Sequence, residues 1–303
     1  MLNAILPVFL LIVIGFAMRH FRWLSDDFWN DAEKLVYFVL FPAMLISKMS
    51  VADLSGTDAI PLISVLVISL AIISLLCFVV KPLLNITNSS FSSVFQGATR
   101  INTFIGLSLA ENILGNSGLI IAVIIAAILI PILNFIVVIV LQHYGLKDET
   151  ANLKSIFKQL LKNPLIIGCA IGIGLNLSQI VLPSALQISI SILGSTALPI
   201  GLLAVGAALV FKDLKSVVKP LFVSSSLKLV IYPIVAYMLT LALGLDRETQ
   251  IAVLIFSAVP TASSAYILAK NMGGDHQLMS RIITFQTLFS SMTIFLMFFL
   301  LGV

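Results

Sequence analysis

The sequence predicts an all-α integral membrane protein with ten transmembrane helices, arranged as two inverted repeats of five helices. Three observations lead to this prediction. Apolar residues make up 60% of the chain and charged residues only 10%, against about 25% charged residues in soluble proteins. Ten apolar segments have roughly the length that a bilayer of about 30 Å requires. Prolines and glycines recur between the two halves of the chain at a nearly constant spacing, which is typical of transporters built from repeats.

The ten predicted spans follow one another with short connections. In order they are 3–19, 33–50, 60–80, 92–112, 117–141, 164–177, 185–210, 220–243, 249–269 and 277–301. The first span has no basic residue before it, and Arg19 and Arg22 follow it, which is the reverse of a cleaved signal peptide. We therefore predict a retained first helix with its N-terminus outside. The longest polar connection, 142–163, is too short for a soluble domain.

Basic side chains distinguish the two membrane faces. With the N-terminus outside, 13 of the 17 Lys and Arg residues fall in inside loops, as the positive-inside rule requires. Lys48 and Arg247 fall outside, and Arg100 and Lys228 fall within spans. Both termini are then outside. The predicted division is a first repeat, 1–146, a cytoplasmic connection, 147–163, and a second repeat, 164–303.

Pro260 interrupts the ninth span, because proline removes a backbone donor and clashes with the preceding turn. In lipid such a break survives only where protein or water satisfies the freed backbone groups, and transporters place such breaks at the substrate site. A related stretch lies about 159 residues upstream, since 109–116 and 268–275 share four identical positions. Five helices per repeat is an odd number, so the second repeat enters the membrane from the opposite side.

Two stretches carry a family resemblance: GATRINTFIGL at 97–107 in the fourth helix, and AVPTASSAYILAK at 258–270 in the ninth. They resemble the bacterial auxin efflux carrier family, and the likeness covers the whole chain. The resemblance implies the fold of plant auxin carriers and, more distantly, of bile-acid sodium symporters and sodium/proton antiporters. In that fold helices 4 and 9 unwind and cross. Helices 1, 2, 6 and 7 form a scaffold that dimerises, and the others form a transport domain that moves like an elevator.

The resemblance also implies a function, because bacterial relatives are associated with malate, malonate and similar organic acids. We therefore expect a secondary transporter of small organic anions that works by elevator-type alternating access. It would lie in the bacterial inner (plasma) membrane with both termini in the periplasm, as a homodimer through helices 1, 2, 6 and 7. The coupling ion stays open between sodium, a proton and none, and so does the direction of transport.

Candidate binding residues surround the two breaks, where amide and hydroxyl groups can replace missing helix hydrogen bonds or bind a solute's oxygens. Two basic residues lie about eight residues into their spans, or roughly 12 Å at 1.5 Å per residue, where a cation usually faces a cavity or a partner. Alternatively, the hydroxyls bond their own helices, and the cations reach the cytoplasm or neutralise helix C-termini. The candidates for substrate binding are Arg100, Asn102, Thr103, Lys228, Pro260, Thr261, Ser263 and Ser264.

Other functional classes fit the sequence less well. A cation/proton antiporter needs a carboxylate inside the membrane, whereas all 13 acidic residues are predicted in loops or near helix ends. An enzyme needs a nucleophile with a base or a metal set, and Cys77 and Cys169 show no metal spacing. The basic residues need no nucleic-acid partner, and no cofactor is predicted. A sodium-coupled symporter of another solute stays open, as does a sensor that acts through a partner.

Overall fold

The structure, a computed structural model, describes residues 2–52, 59–146, 163–211 and 217–302. Within these ranges the chain is helical, with turns and extended connections and no β-strand. The α-helices are α1 Leu2–His20, α2 Asp26–Leu35, α3 Phe41–Met49, α4 Ala59–Leu84, α5 Asn88–Thr99, α6 Thr103–Tyr144, α7 Pro164–Leu177, α8 Ser184–Ser195, α9 Ala197–Ala207, α10 Val218–Ser226, α11 Tyr232–Ala242, α12 Arg247–Ala258, α13 Ser264–Asn271 and α14 His276–Leu300. A first π-helical segment, Val36–Leu40, joins α2 to α3, and a second, Leu227–Ile231, joins α10 to α11.

The helices are those of a multi-pass membrane protein. Among the described residues, six stretches are long and apolar enough to cross a membrane: Leu2–His20, Ala59–Leu84, Asn88–Tyr144, Ser184–Ala207, Val218–Ala242 and His276–Leu300. The other predicted spans are also helical, but they are short or interrupted, as in α7 and in the α2–α3 pair. The count of ten spans and the inversion of the repeats therefore stay predictions. Nearly all of the cytoplasmic connection at 147–163 lies outside the described residues.

The longest helix, α6, covers the end of the fourth predicted span and the whole of the fifth. It bends sharply at Gly115, whose backbone has φ 71° and ψ −151°. Glycine tolerates a positive φ because it has no Cβ. The predicted boundary between the two spans, at 113–116, thus coincides with a kink rather than with a loop.

The helices α5 and α12 are local copies of each other, displaced by 159 residues in the sequence. Each has 12 residues, and each is capped at its N-terminus by a side-chain oxygen, from Thr87 for α5 and from Asp246 for α12. Each ends at an extended residue, Arg100 or Val259. Both helices are deeply buried, since every residue of α5 from Phe91 onwards and every residue of α12 from Ala252 onwards is buried. This agreement supports the hypothesis that the two halves of the chain are structural repeats of each other.

One group of helices corresponds to predicted spans 1, 2, 6 and 7. In it α1 packs along α9, and α3 packs against α7 and α8. Two glycines allow α1 and α9 to lie in close contact. A Cβ at Gly15 would overlap the Leu203 carbonyl, and a Cβ at Gly206 would overlap the Ile12 carbonyl. Small residues allow such an approach of two backbones inside a membrane.

A second group contains both broken spans. Here α5 packs against α4, α6, α10 and α14, while α12 packs against α6 and α11. The buried residues of α12 are mostly apolar, whereas α5 buries as many polar residues, among them Ser92, Ser93 and Gln96, as apolar ones. The broken helices are therefore enclosed by other helices rather than by lipid, which is the condition under which irregular backbone is tolerated at membrane depth.

The predicted orientation can be tested with single cysteines, because both native cysteines are buried. Trp23→Cys lies after the first span and Val181→Cys after the sixth, and both positions are exposed. We expect a membrane-impermeant maleimide to label intact cells at Val181→Cys and to reach Trp23→Cys only after the membrane is opened. Labelling of both positions, or of Trp23→Cys alone, in intact cells would contradict the predicted topology.

Candidate functional site at the two helix breaks

The fourth predicted span breaks at Arg100. This residue follows the last residue of α5 and is extended, with φ −69° and ψ 157°. Helix resumes at Thr103, where the Asn102 Oδ1 caps α6 by accepting a hydrogen bond from the Ile105 N–H at 3.2 Å. Three residues, 100–102, thus leave the helix in the middle of an apolar stretch, although none of them is proline.

The ninth predicted span breaks at Pro260. The last residue of α12 is Ala258. The next residue, Val259, is extended with φ −65° and ψ 150°, and α13 begins at Ser264. A proline has no N–H to continue the helix ladder, and its ring clashes with the preceding turn. The sequence prediction of a break at this proline is in agreement with the backbone.

The two breaks are in direct contact. The Asn102 N–H donates to the Pro260 carbonyl at 2.8 Å. The Thr261 hydroxyl donates to the carbonyl of Gln96, in the last turn of α5, at 3.2 Å. Each break leaves backbone N–H and carbonyl groups without helix partners. The other broken segment supplies hydrogen-bond partners for some of these groups. Buried amides and carbonyls need such partners, because an unpaired one in a water-poor interior costs free energy.

Gln286 of α14 bonds to both breaks at once. Its Oε1 accepts a hydrogen bond from the Thr261 N–H at 2.9 Å, and its Nε2 donates to the Gly97 carbonyl at 3.0 Å. The side chain is fully buried. The sequence analysis missed this residue. An amide in the interior of an apolar span is the signal that could have found it.

A cavity of about 500 Å³ lies beside the breaks. The N-terminal ends of α6 and α13 line it, so the partial positive charge of two helix ends faces the same space. Its lining residues are Glu33, Tyr37, Phe41, Arg100, Ile101, Asn102, Thr103, Phe104, Ile130, Leu133, Asn134, Val138, Asn163, Leu165, Ala262, Ser263, Ser264, Ile267, Leu268 and Asn271. The wall combines apolar side chains with polar and charged ones in about equal number, so it can bind both the apolar and the polar parts of a small molecule.

Arg100 supplies the positive charge of this cavity. Its Nη2 donates to the Ser264 hydroxyl at 3.2 Å. Its Nη1 is buried and has no hydrogen-bond partner within the described ranges. None of the ion pairs between described residues includes it. The guanidinium therefore retains donor capacity and forms no ion pair within the described part of the chain.

Polar residues that the sequence analysis did not select also line the cavity. Glu33 carries the one carboxylate among the lining residues that the structure describes, although the sequence analysis placed no acidic residue beside the cations. The amides Asn134, Asn163 and Asn271 contribute further donors and acceptors. Asn134 lies inside an apolar span and could have been selected for that reason. Asn163 and Asn271 lie at span ends, where sequence alone does not distinguish a site from a loop.

The eight predicted binding residues fall into two sets. Five line the cavity: Arg100, Asn102, Thr103, Ser263 and Ser264. The other three, Pro260, Thr261 and Lys228, line neither this cavity nor the second one described below. Pro260 and Thr261 instead hold the breaks together, and Lys228 is buried among the helices. A substrate contact at any of the eight stays a prediction.

A second cavity, of about 640 Å³, adjoins the first. It is lined by charged and polar groups of α1, α2 and α14, among them Arg19, Asp26, His276 and Arg281. The two cavities share Glu33, Ser263 and Ile267 in their linings. Residues of α2 and of the start of α13 therefore form the wall between them.

Known proteins resemble this chain over its full length. A family model described as "Membrane transport protein" matches residues 1–298. The chain is also similar to an uncharacterized transporter, MJ1031, of Methanocaldococcus jannaschii, with 22% identity over 303 residues that cover 97% of this chain and 96% of that protein. The similarity thus includes both breaks and both groups of helices, rather than one motif.

We expect Gln286→Leu to destabilise the protein, because it leaves the Thr261 N–H and the Gly97 carbonyl buried without partners. At about 1–3 kcal/mol for each of these two unsatisfied groups, the loss should reach about 2–6 kcal/mol. The matched control is Gln187→Leu on α8, whose side chain is exposed, with an expected effect within about 0.5 kcal/mol. Thermal unfolding in detergent measures both. Equal stability of the two variants would show that Gln286 does not hold the breaks.

Proposed function

The chain belongs to the membrane transport protein family, the auxin efflux carrier family, and on this basis we propose that it is a secondary carrier of small organic anions. Membership makes the protein a multi-pass transporter rather than an enzyme. The substrate class and the mechanism are the proposal. Malate, malonate and related carboxylates are the substrates that we propose.

The observation that carries the proposal is the state of Arg100. A guanidinium with a free donor, next to a cavity, suits a carboxylate because it can donate two parallel hydrogen bonds to the two oxygens. The N-terminal ends of α6 and α13 add positive potential from the same side. A cation in this position would be repelled, whereas an anion would replace solvent with fixed donors.

The size and lining of the cavity support a small substrate. Its volume of about 500 Å³ lies within the usual range for small-molecule sites, about 300–1,000 Å³. The Asn102, Asn134 and Asn271 amides could bond the second carboxylate or a hydroxyl group of the solute. Glu33 opposes a second negative charge in its own neighbourhood. We therefore propose that the substrate's charge is bound on the Arg100 side.

The packing of the helices supports an elevator mechanism. The group of α1, α3, α7, α8 and α9 corresponds to the scaffold that the family resemblance implies, and the group with both breaks corresponds to the transport domain. We propose that the second group moves against the first and carries the cavity with it. We also propose a homodimer through predicted helices 1, 2, 6 and 7, in a bacterial inner membrane. Cross-linking in native membranes that traps only monomers would contradict the dimer.

The cavity contains residues from the predicted cytoplasmic ends of its helices. Asn163 immediately precedes the sixth predicted span and Asn271 follows the ninth, and the predicted topology puts both on the inside. The second cavity adjoins it on the same side, since it includes Arg19 and Arg281. We propose that this conformation faces the cytoplasm.

Transport into proteoliposomes tests the function directly. Labelled malate, malonate and an aromatic acid are offered to the purified protein under imposed sodium or proton gradients, with empty liposomes as the control. We expect uptake of at least one dicarboxylate above the control. A panel of acids that shows neither uptake nor binding would contradict the organic-anion proposal.

We expect Arg100→Gln to weaken anion binding by about 10–100-fold, because a hydrogen bond to a charged group contributes about 1.5–3 kcal/mol. Arg22→Gln is the matched control, since Arg22 is exposed and lines neither cavity. Its affinity should equal that of the unaltered protein. The measurement is equilibrium binding of malonate, or of the best transported acid, to variants with unchanged thermal stability. Unchanged affinity in a folded Arg100→Gln variant would remove Arg100 from the site.

A further inference from the structure

Among the residues that the structure describes, Glu33 is the one carboxylate that lines both cavities. Its side chain is partly buried, and none of the ion pairs between described residues includes it. A solute in the first cavity and water in the second can therefore both reach this residue. The proposal of an anion carrier leaves the purpose of a carboxylate at this place open.

The neighbouring arginines neutralise Glu33 only in part. Arg19 lines the second cavity and lies close enough for its charge to act on Glu33. The Nε of Arg19, however, donates to Asp26 at 2.8 Å, and its Nη1 donates to the Ala207 carbonyl at 2.6 Å. Arg100 lines the first cavity together with Glu33, but the two form no ion pair. An ionised Glu33 thus presents negative charge to the first cavity.

Other charged and titratable groups near Glu33 come from several elements. α9 packs against α2 and contributes no charged residue, and on α2 itself Lys34 is paired with Asp31 at 2.9 Å. Histidine is the residue type that ordinarily changes charge near neutral pH, so a test must separate the effect of His276 from that of Glu33. The remaining side chains of this kind in the walls of the two cavities are Tyr37, Tyr266, His276 and Arg281.

The small size of the first cavity makes the charge of Glu33 important for a bound solute. A compact space of about 500 Å³ is only about 10 Å across, which is close to the Debye length of about 8 Å at physiological ionic strength. Two unit charges about 8 Å apart, at an effective dielectric constant of about 20, change a binding constant about 30-fold. Arg100 attracts the first carboxylate of a substrate, whereas a second carboxylate meets the repulsion of Glu33.

We propose that Glu33 makes the binding of dicarboxylates depend on the pH of the cytoplasm. While Glu33 is ionised, its charge lowers the affinity of the first cavity for a dianion. Once Glu33 has bound a proton, the repulsion is absent, and its carboxyl group can donate a hydrogen bond to the second carboxylate of the solute. The proton reaches Glu33 through the second cavity, whose lining includes residues of the predicted cytoplasmic side. This inference rests on the organic-anion function proposed above.

Glu33→Gln tests the inference, because glutamine has nearly the same shape as glutamate and carries no charge. Equilibrium binding is measured for malonate and for its half-amide, malonamate, in which a neutral amide replaces one carboxylate. At about pH 8 we expect the substitution to strengthen malonate binding about 10–30-fold and to change malonamate binding less than about threefold.

The pH dependence has a definite sign. The ratio of the malonate affinity of Glu33→Gln to that of the unaltered protein should fall towards one as the pH is lowered to about 5, because a protonated Glu33 matches glutamine in charge. Malonate itself titrates equally in both measurements, so the ratio cancels its contribution. The same change of the ratio is expected when both proteins also carry His276→Gln.

Glu248→Gln is the matched control, since Glu248 is exposed and lines neither cavity. It should bind both probes as the unaltered protein does. Unchanged or weaker malonate binding in a folded Glu33→Gln variant at about pH 8, or an equal gain for malonamate, would overturn the inference.

A second measurement applies if Glu33→Gln does not fold. Methanedisulfonate resembles malonate but does not titrate, and its affinity for the His276→Gln variant should rise as the pH falls from about 8 to about 5. An affinity that is independent of pH would overturn the inference. Failure of the unaltered protein to bind any organic anion would instead contradict the proposed function, whereas anion binding that ignores the charge of Glu33 contradicts the inference alone.

Discussion

The hydrogen bond from the Asn102 N–H to the Pro260 carbonyl sets the constraint on which the site depends. Each break leaves polar backbone groups inside the enclosed helix group, where each of them needs a hydrogen-bond partner. Because the breaks bond each other, and because Gln286 bonds both, the free backbone is compensated without filling the adjacent space. The cavity is thus available to a solute, and Arg100 at its edge keeps a donor that has no hydrogen-bond partner in the described part of the chain.

The two buried basic residues have different surroundings. Arg100 lies at the edge of the cavity into which the N-terminal ends of α6 and α13 point their positive potential. Lys228 lines neither cavity, and its π-helical segment packs against α5, α12 and α14. The sequence places the two residues at a similar depth, but the structure lines the cavity with Arg100 and not with Lys228.

Sequence reasoning reached the breaks because their causes are local. Pro260 cannot continue a helix, and the spacing of 159 residues located the equivalent position near Asn102. It did not distinguish Thr261, which bonds across the breaks, from Ser263 and Ser264, which line the cavity. That distinction depends on the direction of each side chain after the backbone has left the helix. Gln286 and Glu33 were missed for a related reason, since only tertiary packing brings them to the breaks.

The contact between Asn102 and Pro260 also has a consequence for biogenesis. The two residues are 158 positions apart, and a ribosome that adds about 5–20 residues per second needs about 8–30 s to make the intervening chain. During that interval the first break is already synthesised, while the carbonyl that satisfies it does not yet exist. Until Pro260 is made, the Asn102 N–H needs another partner, such as water. Contact between the two breaks is therefore a late event, which follows synthesis of Pro260.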